Sequence, residues 1–450
     1  MVDQQRTAAE SSSAQIDSQA SLAGAAGNLL SEPAPSVRHI MRRYYAVWWI
    51  YSFGGGFLFA VYPLFLRSRG LNQLQMNSVL ATYFAVTFLT DVPTGAFADA
   101  LGRRRSFILG CALRTLAFTV YFFAYRYPMF LLGEAIDGIG TTFCNGAIDA
   151  WGVDALDEAG FQGVKDRLFS RISQLSNIGF MASAVIGAYV ADRNIAWPWM
   201  LGAAGYLVAG MVGAFLMWEG GRKGVELHLL AMCAQVGRQI ADGLREGFSR
   251  RSVLLLSLAN GVFFAAWSPY WLEWPQFFND TYAVGIWIVG WLYLLFTLAR
   301  MAGAETMIRL GGDENLRPQR LTLLAIASAV LMFSAGAVGH RPALVLPILA
   351  ALNFCWGSLM PLAQSWFNEQ LEPQERATLL SFNTTFSTLG GSMGLLAGGV
   401  IADRAGIQTT WQFGGLLSLA VVPCYRGLRM RRAVATPAGE VEPKGQVVPP

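Results

Sequence analysis

Charged side chains are scarce in this chain of 450 residues. Asp, Glu, Lys and Arg make up 14% of the sequence, whereas soluble proteins carry about 25%. So little charge excludes a water-facing surface of normal size, and a hydrophobic share of 54% excludes disorder over most of the length. The formal net charge of +4 is too small to indicate nucleic-acid binding. The composition therefore points to a membrane protein.

Cysteine and histidine are also few. The five cysteines form no CxxC pair, so neither a zinc site nor a disulfide framework is predicted, and we expect small buried hydrophobic side chains. His39, His228 and His340 fall in predicted tails or loops, which argues against an embedded enzyme. The sequence contains no GxxxxGK[ST] loop, so an ATP-driven pump is disfavoured, and no metal or cofactor is predicted.

The chain contains long runs of apolar residues. A helix that crosses a bilayer needs about 20 mainly apolar residues. Twelve such runs lie at 44–66, 76–98, 106–125, 128–150, 172–192, 197–218, 252–276, 284–308, 320–339, 343–367, 376–401 and 408–427. The longest break between them separates six runs from six. The sequence thus predicts an all-α integral membrane protein with twelve transmembrane helices in two six-helix pseudo-symmetric halves.

The distribution of Lys and Arg predicts the orientation of the runs. Of the 33 basic residues, 23 fall on the side of the two tails and six on the opposite side, and basic residues favour the cytoplasm. We therefore expect both termini to be cytoplasmic in an inner or plasma membrane. The predicted segments are a disordered tail (1–40), an N-terminal six-helix bundle (41–218), a cytoplasmic linker (219–251), a C-terminal six-helix bundle (252–430) and a second disordered tail (431–450).

Several runs end in similar sequences, which indicates internal repetition. Run two ends GAFADALGRRR from Gly95 to Arg105, run five ends AYVADR at Arg193, and run eleven ends GVIADRAG at Gly406. The GxxxDxxGRR pattern after the second of twelve runs resembles the signature loop of the major facilitator superfamily. Other stretches are similar to bacterial drug-efflux members of that superfamily, including the macrolide-efflux-like branch.

The resemblance implies that the loop after run two is a conformational switch. Its members are Gly95, Asp99, Gly102, Arg103 and Arg104, and the arginines are expected to pair with Asp149 and Asp154. We expect Gly95 to allow close helix approach. The alternative interpretation is that the arginines only anchor the topology.

Run four carries a polar stripe. Glu134, Asp137, Thr141, Asn145 and Asp149 recur at spacings of three and four residues, which places them on one face of a helix. In the resembled fold, helix four lines the central cavity. Ionisable groups in hydrocarbon are costly and usually face a bundle interior or an aqueous cavity.

Asp137 is the first candidate for proton coupling, with Glu134 as its partner. Asp137 lies near the midplane, where desolvation and the neighbouring acid favour a bound proton on one of the two carboxyls. Two alternatives stay open: an ion pair between Arg114 and an acid that serves packing, and substrate binding alone. Asp91 is a third coupling candidate, but a helix-contact role is favoured for it, toward a glycine stripe in run eleven.

Aromatic and polar residues on several runs predict the substrate cavity. Prolines in run seven are expected to break that helix near its outer end, and Trp274 is assigned to an interfacial belt. The cavity candidates are Tyr51, Tyr62, Thr141, Asn145, Trp267, Tyr270, Glu273, Asn353, Trp356 and Gln364.

These features predict a secondary transporter and no enzyme. We expect a monomer in the lipid bilayer that moves a small amphipathic organic molecule by alternating access, with efflux by proton exchange as the first hypothesis and no nucleic-acid partner. Alternatives are a symporter or facilitator for a nutrient, and, from another class, a membrane-embedded enzyme or a receptor without transport.

Overall fold

The computed structural model describes residues 35–161, 163, 165–218, 245–310, 316–372 and 375–428. Over these ranges the chain is helical and has no strand. The helices are α1 (Pro35–Gly56), α2 (Tyr62–Ser68), α3 (Gln73–Leu101), α4 (Arg103–Phe123), α5 (Tyr127–Glu158), α6 (Lys165–Arg193), α7 (Trp197–Leu216), α8 (Arg251–Tyr282), α9 (Ile286–Arg309), α10 (Arg317–Ala337), α11 (Pro342–Glu369), α12 (Arg376–Ala405), α13 (Ile407–Ser418) and α14 (Val421–Arg426).

Each predicted run coincides with helical structure. The ten middle runs correspond to α3–α12, and the first and last are each divided in two, into α1 and α2 and into α13 and α14. Among the described residues, nine helices are long and apolar enough to cross a membrane. The prediction of an all-α membrane protein is confirmed.

Two details of the predicted boundaries were wrong. Residues 35–40, assigned to the first tail, form the beginning of α1, while residues 1–34, 219–244 and 429–450 of the predicted tails and linker lie outside the described residues. The prolines of run seven, Pro269 and Pro275, do not break their helix, because α8 continues through both to Tyr282.

Helix ends follow from local sequence. Proline occupies the first turn of several helices, where its missing N–H costs nothing. Asn72 forms a capping box with Gln75 at the start of α3. Gly102 joins α3 directly to α4 with a φ of 106°, a left-handed conformation that other residues rarely adopt.

The chain forms two compact units. Of the described residues, those within 1–238, 268–297 and 391–410 form unit 1, and those within 239–267, 298–390 and 411–450 form unit 2. The division therefore falls inside α8, α9, α12 and α13, whereas the predicted bundles divide the chain once, in the linker.

Aromatic rings fill the core of unit 1. The rings of Tyr121 on α4 and Trp199 on α7 stack at 4.0 Å and 4°, and Phe118 packs edge-on against Trp199. In the same unit α1 approaches α7 so closely that a β-carbon at Gly205 would lie 2.6 Å from the α-carbon of Gly54. This contact holds α1 beside α4 and α5, where the site described below lies.

Unit 2 is built around α10, which packs on α11 and α14. Phe263 and Trp267 stack at 5.2 Å, and Trp356 lies 5.3 Å from Trp267. The guanidinium of Arg300 lies 5.2 Å from the ring centroid of Trp356. Unit 2 thus places aromatic rings and one cation within a few ångströms of each other.

Replacing Gly205 by leucine is expected to destabilise the protein strongly, because an overpacked backbone contact costs about 1–3 kcal/mol or more. The measurement is the thermal unfolding midpoint of purified protein. Gly146→Leu is the matched control, since a β-carbon at Gly146 meets no atom within 4 Å. Equal midpoints for the two variants would contradict the close contact between α1 and α7.

Candidate functional site

The polar stripe of run four lies on α5, and the structure buries most of it inside unit 1. Glu134, Asp137 and Thr141 are 6%, 7% and 6% exposed, whereas Asn145 is exposed and Asp149 is half-buried. The predicted stripe is therefore one continuous face that changes from core to open surface along its length.

Asp137 is held by a buried guanidinium from the neighbouring helix. Nε of Arg114 on α4 donates to Oδ1 of Asp137 at 2.8 Å, and Nη2 donates to Oδ2 at 3.1 Å. Nη1 of Arg114 donates to the hydroxyl of Tyr51 at 2.8 Å, and its guanidinium lies 4.1 Å from the ring centroid of Tyr206. A two-point charged contact supported by aromatic faces is a strong arrangement in a dry interior. It is the ion pair that the sequence analysis kept as an alternative for Asp137.

Glu134 has a different environment one turn away. The hydroxyl of Tyr121 donates a short hydrogen bond to its Oε2, and the hydroxyls of Tyr121 and Tyr62 are 3.4 Å apart. Within the described part of the chain, no ion pair joins Glu134 to a basic side chain. Tyr121 is itself fixed by its stack on Trp199. Glu134 is thus a buried carboxyl with a neutral donor.

The other end of the stripe is also bonded to α1. The hydroxyl of Tyr51 donates to Oδ1 of Asn145 at 3.3 Å. The hydroxyl of Tyr44 and Nε1 of Trp48 donate to Oδ1 of Asp149 at 2.7 and 3.0 Å. Tyr51 therefore links Asn145 to Arg114 and through it to Asp137.

The site as a whole has more acid than base. Glu134 and Asp137 lie three residues apart on α5, and Arg114 is the one basic side chain bonded to them among the described residues. Buried charge is tolerated when it is paired and becomes costly when it is not. A single exchangeable proton brings this group of three side chains to neutrality, and that is the chemistry the arrangement supports.

Tyr121 and Tyr206 belong to the site although neither was predicted from the sequence. A signal for Tyr121 was present, because Arg114, Phe118 and Tyr121 follow at spacings of four and three residues and so share one face of α4. For Tyr206 the sequence holds no such signal, since its role depends on how α7 packs against α4.

The signature loop forms a compact set of contacts within unit 1. Arg103 pairs with Asp99 one turn earlier and lies 3.8 Å from Oδ2 of Asp154 on α5. Nη2 of Arg104 donates to the carbonyl of Ala214. The predicted partner Asp154 is thus found, but Asp149 is not a partner of these arginines, because its Oδ1 accepts from Tyr44 and Trp48.

Two predictions about close helix approach were wrong for this structure. A β-carbon at Gly95 would meet no atom within 4 Å, so this glycine adjoins open space. The glycine stripe of run eleven packs on α8, because Gly390 lies against Gly261 and Gly398 against Pro269. The contacts of α12 with α3 lie off this stripe: a β-carbon at Gly399 would lie 2.7 Å from the α-carbon of Leu74, and the carbonyl of Leu395 accepts from the side chain of Asn77.

Asp91 is exposed on α3, and within the described residues its carboxylate makes no hydrogen bond or ion pair. The helix-contact role that the sequence favoured for Asp91 is therefore not found in this structure.

The predicted cavity residues divide between the two units. Tyr51, Tyr62, Thr141, Asn145, Tyr270 and Glu273 lie in unit 1, and Trp267, Asn353, Trp356 and Gln364 lie in unit 2. Of these, only Asn145 and Gln364 are exposed, while Trp267, Tyr270, Glu273 and Asn353 are at most 2% exposed. Their membership of a substrate cavity stays a prediction.

Trp274 and four of the cysteines are buried. Trp274 is not part of an exposed belt, because it is 6% exposed and packs edge-on against Phe296 at 5.1 Å. Four of the five cysteines are free and buried, as predicted, and Cys233 lies outside the described residues.

A family model described as Major Facilitator Superfamily matches residues 45–395. The chain therefore belongs to this superfamily, whose fold is twelve helices in two halves, and it is a multi-pass membrane transporter of small molecules.

Relatives by sequence are drug-resistance proteins. Multidrug resistance protein 2 of Bacillus subtilis is 19% identical over 373 residues, which cover 81% of this chain and 89% of that protein. Multidrug resistance protein MdtH of Aeromonas hydrophila is 23% identical over 322 residues, or 70% and 75% of the two chains. Chloramphenicol resistance protein CraA of Acinetobacter baumannii is 24% identical over 37% of each chain.

Among solved structures, the nucleoside transporter NupG superposes with a TM-score of 0.69 at 12% identity, covering 86% of this chain and 98% of NupG. The peptide transporter POT gives a TM-score of 0.67 at 13% identity over 87% and 93% of the two chains. At such identities these likenesses show the shared fold.

Removing the guanidinium should destabilise the protein more than removing both charges of the pair. Arg114→Ala leaves Asp137 buried and unpaired, which costs about 3–5 kcal/mol. The double variant Arg114→Ala with Asp137→Asn should recover part of that loss, as measured by thermal unfolding of purified protein. If the double variant were less stable than the parent protein by the sum of the effects of Arg114→Ala and Asp137→Asn, the two side chains would not interact.

Proposed function

We propose that this protein exports a small amphipathic organic molecule across the inner or plasma membrane in exchange for protons, by alternating access. The observation that carries the proposal is the buried site in which the guanidinium of Arg114 pairs with Asp137, while Glu134, three residues earlier on α5, accepts from the hydroxyl of Tyr121. The names of the relatives in B. subtilis and A. hydrophila, both multidrug resistance proteins, support export as the direction.

Charge balance favours Glu134 as the proton carrier. With both carboxylates ionised, the site has a net charge of −1, and one proton makes it neutral, which a low-dielectric interior favours. Asp137 already has the guanidinium of Arg114 as its partner. Glu134 is then the group that binds and releases the proton, which reverses the order of the two candidates from the sequence.

Access to Glu134 depends on the tyrosines around it. The hydroxyl of Tyr121 donates to the carboxylate and would have to reorient when the carboxyl carries a proton. Tyr62 is half-buried and lies next to Tyr121, so it is the first side chain between Glu134 and less buried surroundings. Proton uptake would therefore change the hydrogen bonds between α5, α4 and α2.

The signature loop would bias the two conformations. Arg103, which is half-buried, bridges Asp99 at the end of α3 and Asp154 at the end of α5, and ion pairs near the surface contribute about 0–1 kcal/mol each. Such a contribution is too small to hold the fold and large enough to shift a two-state equilibrium.

The proposed wall of the substrate path is the part of unit 1 where α3 and α5 adjoin open space. It holds the exposed side chains of Asp91 and Asn145, and near them Gly95 and Gly146 adjoin free space. A carboxylate and an amide on an open surface between apolar residues suit an amphipathic ligand. Among the other cavity candidates in unit 1, Tyr51, Thr141, Tyr270 and Glu273 are buried and would need another conformation to contact substrate.

Glu134→Gln should leave a folded protein that no longer uses a proton gradient. The variant keeps the Arg114–Asp137 pair and removes the exchangeable proton, so the site stays neutral. In proteoliposomes with an imposed pH gradient, using chloramphenicol and a fluorescent amphipathic dye as probes, accumulation should fall at least tenfold while downhill exchange continues.

Glu305→Gln is the matched control for this assay. Glu305 is an exposed glutamate on α9 whose carboxylate pairs with Arg309 one turn later. Its neutralisation should leave accumulation within about twofold of the parent protein. If Glu134→Gln retained full gradient-driven accumulation, the proton would have to travel elsewhere, and Asp91 or Glu273 would be the next residue to test. If the substrate instead accumulated on the side to which the protons flow, the result would support the symporter alternative.

The proposed orientation has a separate test by cysteine labelling. Cysteines introduced at Arg104 and Arg245 should react only with reagents applied from the cytoplasmic side, because the basic residues gather there. A cysteine at Arg341 on the opposite side is the control and should react from outside. Labelling of either of the first two from outside intact cells would overturn the orientation.

A further inference from the structure

Asp403, at the end of α12, caps the first turn of α3. Its Oδ1 accepts from the backbone N–H of Gln73 at 2.8 Å, and its Oδ2 accepts from the N–H of Leu74 at 3.0 Å. Both carboxylate oxygens therefore bind a helix N-terminus that lies 330 residues away in the sequence. A carboxylate at this position satisfies free N–H groups and matches the positive end of the helix dipole.

Asp192, at the end of α6, makes the corresponding contact with α9. Its Oδ1 accepts from the backbone N–H of Ile286, the first residue of α9, at 3.0 Å. The chain enters α9 through Ala283, whose φ of 51° is left-handed. As at α3, the aspartate comes from one half of the sequence and the capped helix from the other, and all four helix ends belong to unit 1.

The two contacts are related by the internal repeat. Asp192 and Asp403 occupy the same place in the repeated Ala-Asp-Arg ending of runs five and eleven. Run five caps run eight, and run eleven caps run two. Runs five and eleven hold equivalent places in the two sequence halves, and so do runs two and eight, so each contact is the counterpart of the other. The repeat thus produces two equivalent contacts between the halves, as a two-fold relation requires.

The cap on α3 is not needed for that helix to form. Asn72 already caps α3 through its own side chain, which accepts from the N–H of Gln75 at 2.8 Å, and the side chain of Gln75 accepts in return from the N–H of Asn72. Asp403 supplies a second cap from a distant helix. Since both aspartates are exposed, water can replace them when the helix ends separate.

Close packing lies directly beneath the two caps. A β-carbon at Gly290 would lie 2.7 Å from the β-carbon of Ala188, and one at Gly399 would lie 2.7 Å from the α-carbon of Leu74. Small residues at these positions let the helix ends meet closely enough for the aspartates to reach backbone N–H groups.

We propose that Asp192 and Asp403 hold the adjoining ends of α3, α6, α9 and α12 together by capping helices of the opposite sequence half. We call these two caps the latches. The two caps form together when the ends of α3, α6, α9 and α12 meet, and they break together when those ends separate. The device rests on alternating access from the proposed function, but not on proton coupling, on export or on the orientation in the membrane.

The test is the reactivity of a cysteine beneath the latches. Met76 lies one turn into α3 and is 0% exposed, so Met76→Cys should react slowly with a maleimide in purified protein in lipid nanodiscs, where the reagent reaches both faces. The double variant Asp192→Ala with Asp403→Ala should raise its labelling rate about tenfold, because each cap is worth a factor of about two to thirty. Peptide-resolved mass spectrometry separates this cysteine from the native ones.

Asparagine variants distinguish a cap from a simple charge effect. In the Met76→Cys background, Asp192→Asn keeps the single oxygen that accepts from Ile286, so the cysteine should be labelled at the parent rate. Asp403→Asn retains one of two acceptors, so its labelling rate should lie between those of the parent and Asp403→Ala. Arg193→Ala with Arg404→Ala is the matched control, since within the described residues the side chains of these exposed neighbours make no hydrogen bond or ion pair.

Unchanged labelling in the double alanine variant, or an equal increase in the double arginine control, would overturn the proposal. Asp403→Ala alone provides the same test should the double variant fail to fold, because α3 keeps its Asn72 cap. Labelling reports conformation without transport, so a failure of Glu134→Gln to uncouple the protein leaves this outcome unaffected, and the two proposals can fail separately.

Discussion

The guanidinium of Arg114 is the group around which unit 1 is arranged. A buried cation in a membrane helix requires a counter-charge and further hydrogen-bond acceptors, and it finds them on three other helices: Asp137 on α5, Tyr51 on α1 and the ring of Tyr206 on α7. These contacts fix α4 relative to its neighbours, and they determine which carboxyl of α5 stays without a cation. The environment of Glu134 is therefore a consequence of where Arg114 points.

The same requirement explains why tyrosine is prominent in this unit. A phenol combines an apolar ring, which packs against Trp199 or Phe118, with a hydroxyl that binds a carboxylate or an amide. Along α5, the carboxylates of Glu134 and Asp149 and the amide of Asn145 each accept a tyrosine hydroxyl from α1 or α4. Tyrosine hydroxyls thus provide these three groups with hydrogen bonds without additional charge.

The sequence predicted the helices better than their partners. Run positions depend on local hydropathy and on short signals such as the Asn72 capping box, and these gave twelve runs that match α1–α14. The stripe from Glu134 to Asp149 was also predictable, because its spacing is a property of one helix. In each case the information lies within about thirty consecutive residues.

Errors arose where a residue's role depends on a helix from elsewhere in the chain. Spacing cannot say whether Asp149 faces Arg104 or Tyr44, nor whether the glycines of run eleven meet α3 or α8. Tryptophan is a residue type typical of interfacial belts, and Trp274 is nevertheless covered by Phe296. Depth in the membrane can be estimated from sequence, whereas the direction in which a side chain points is set by packing.

Gly102 determines how α3 and α4 are placed relative to each other. Because this one residue ends α3 and begins α4, the two helices are joined without a flexible linker. Gln73, which Asp403 contacts, is at the far end of α3, and Arg114 lies about 17 Å along α4 from the joint at the rise of an α-helix. The backbone dihedral angles of Gly102 therefore set the angle between α3 and α4, and with it the position of the ion pair relative to the end of α3 that Asp403 caps.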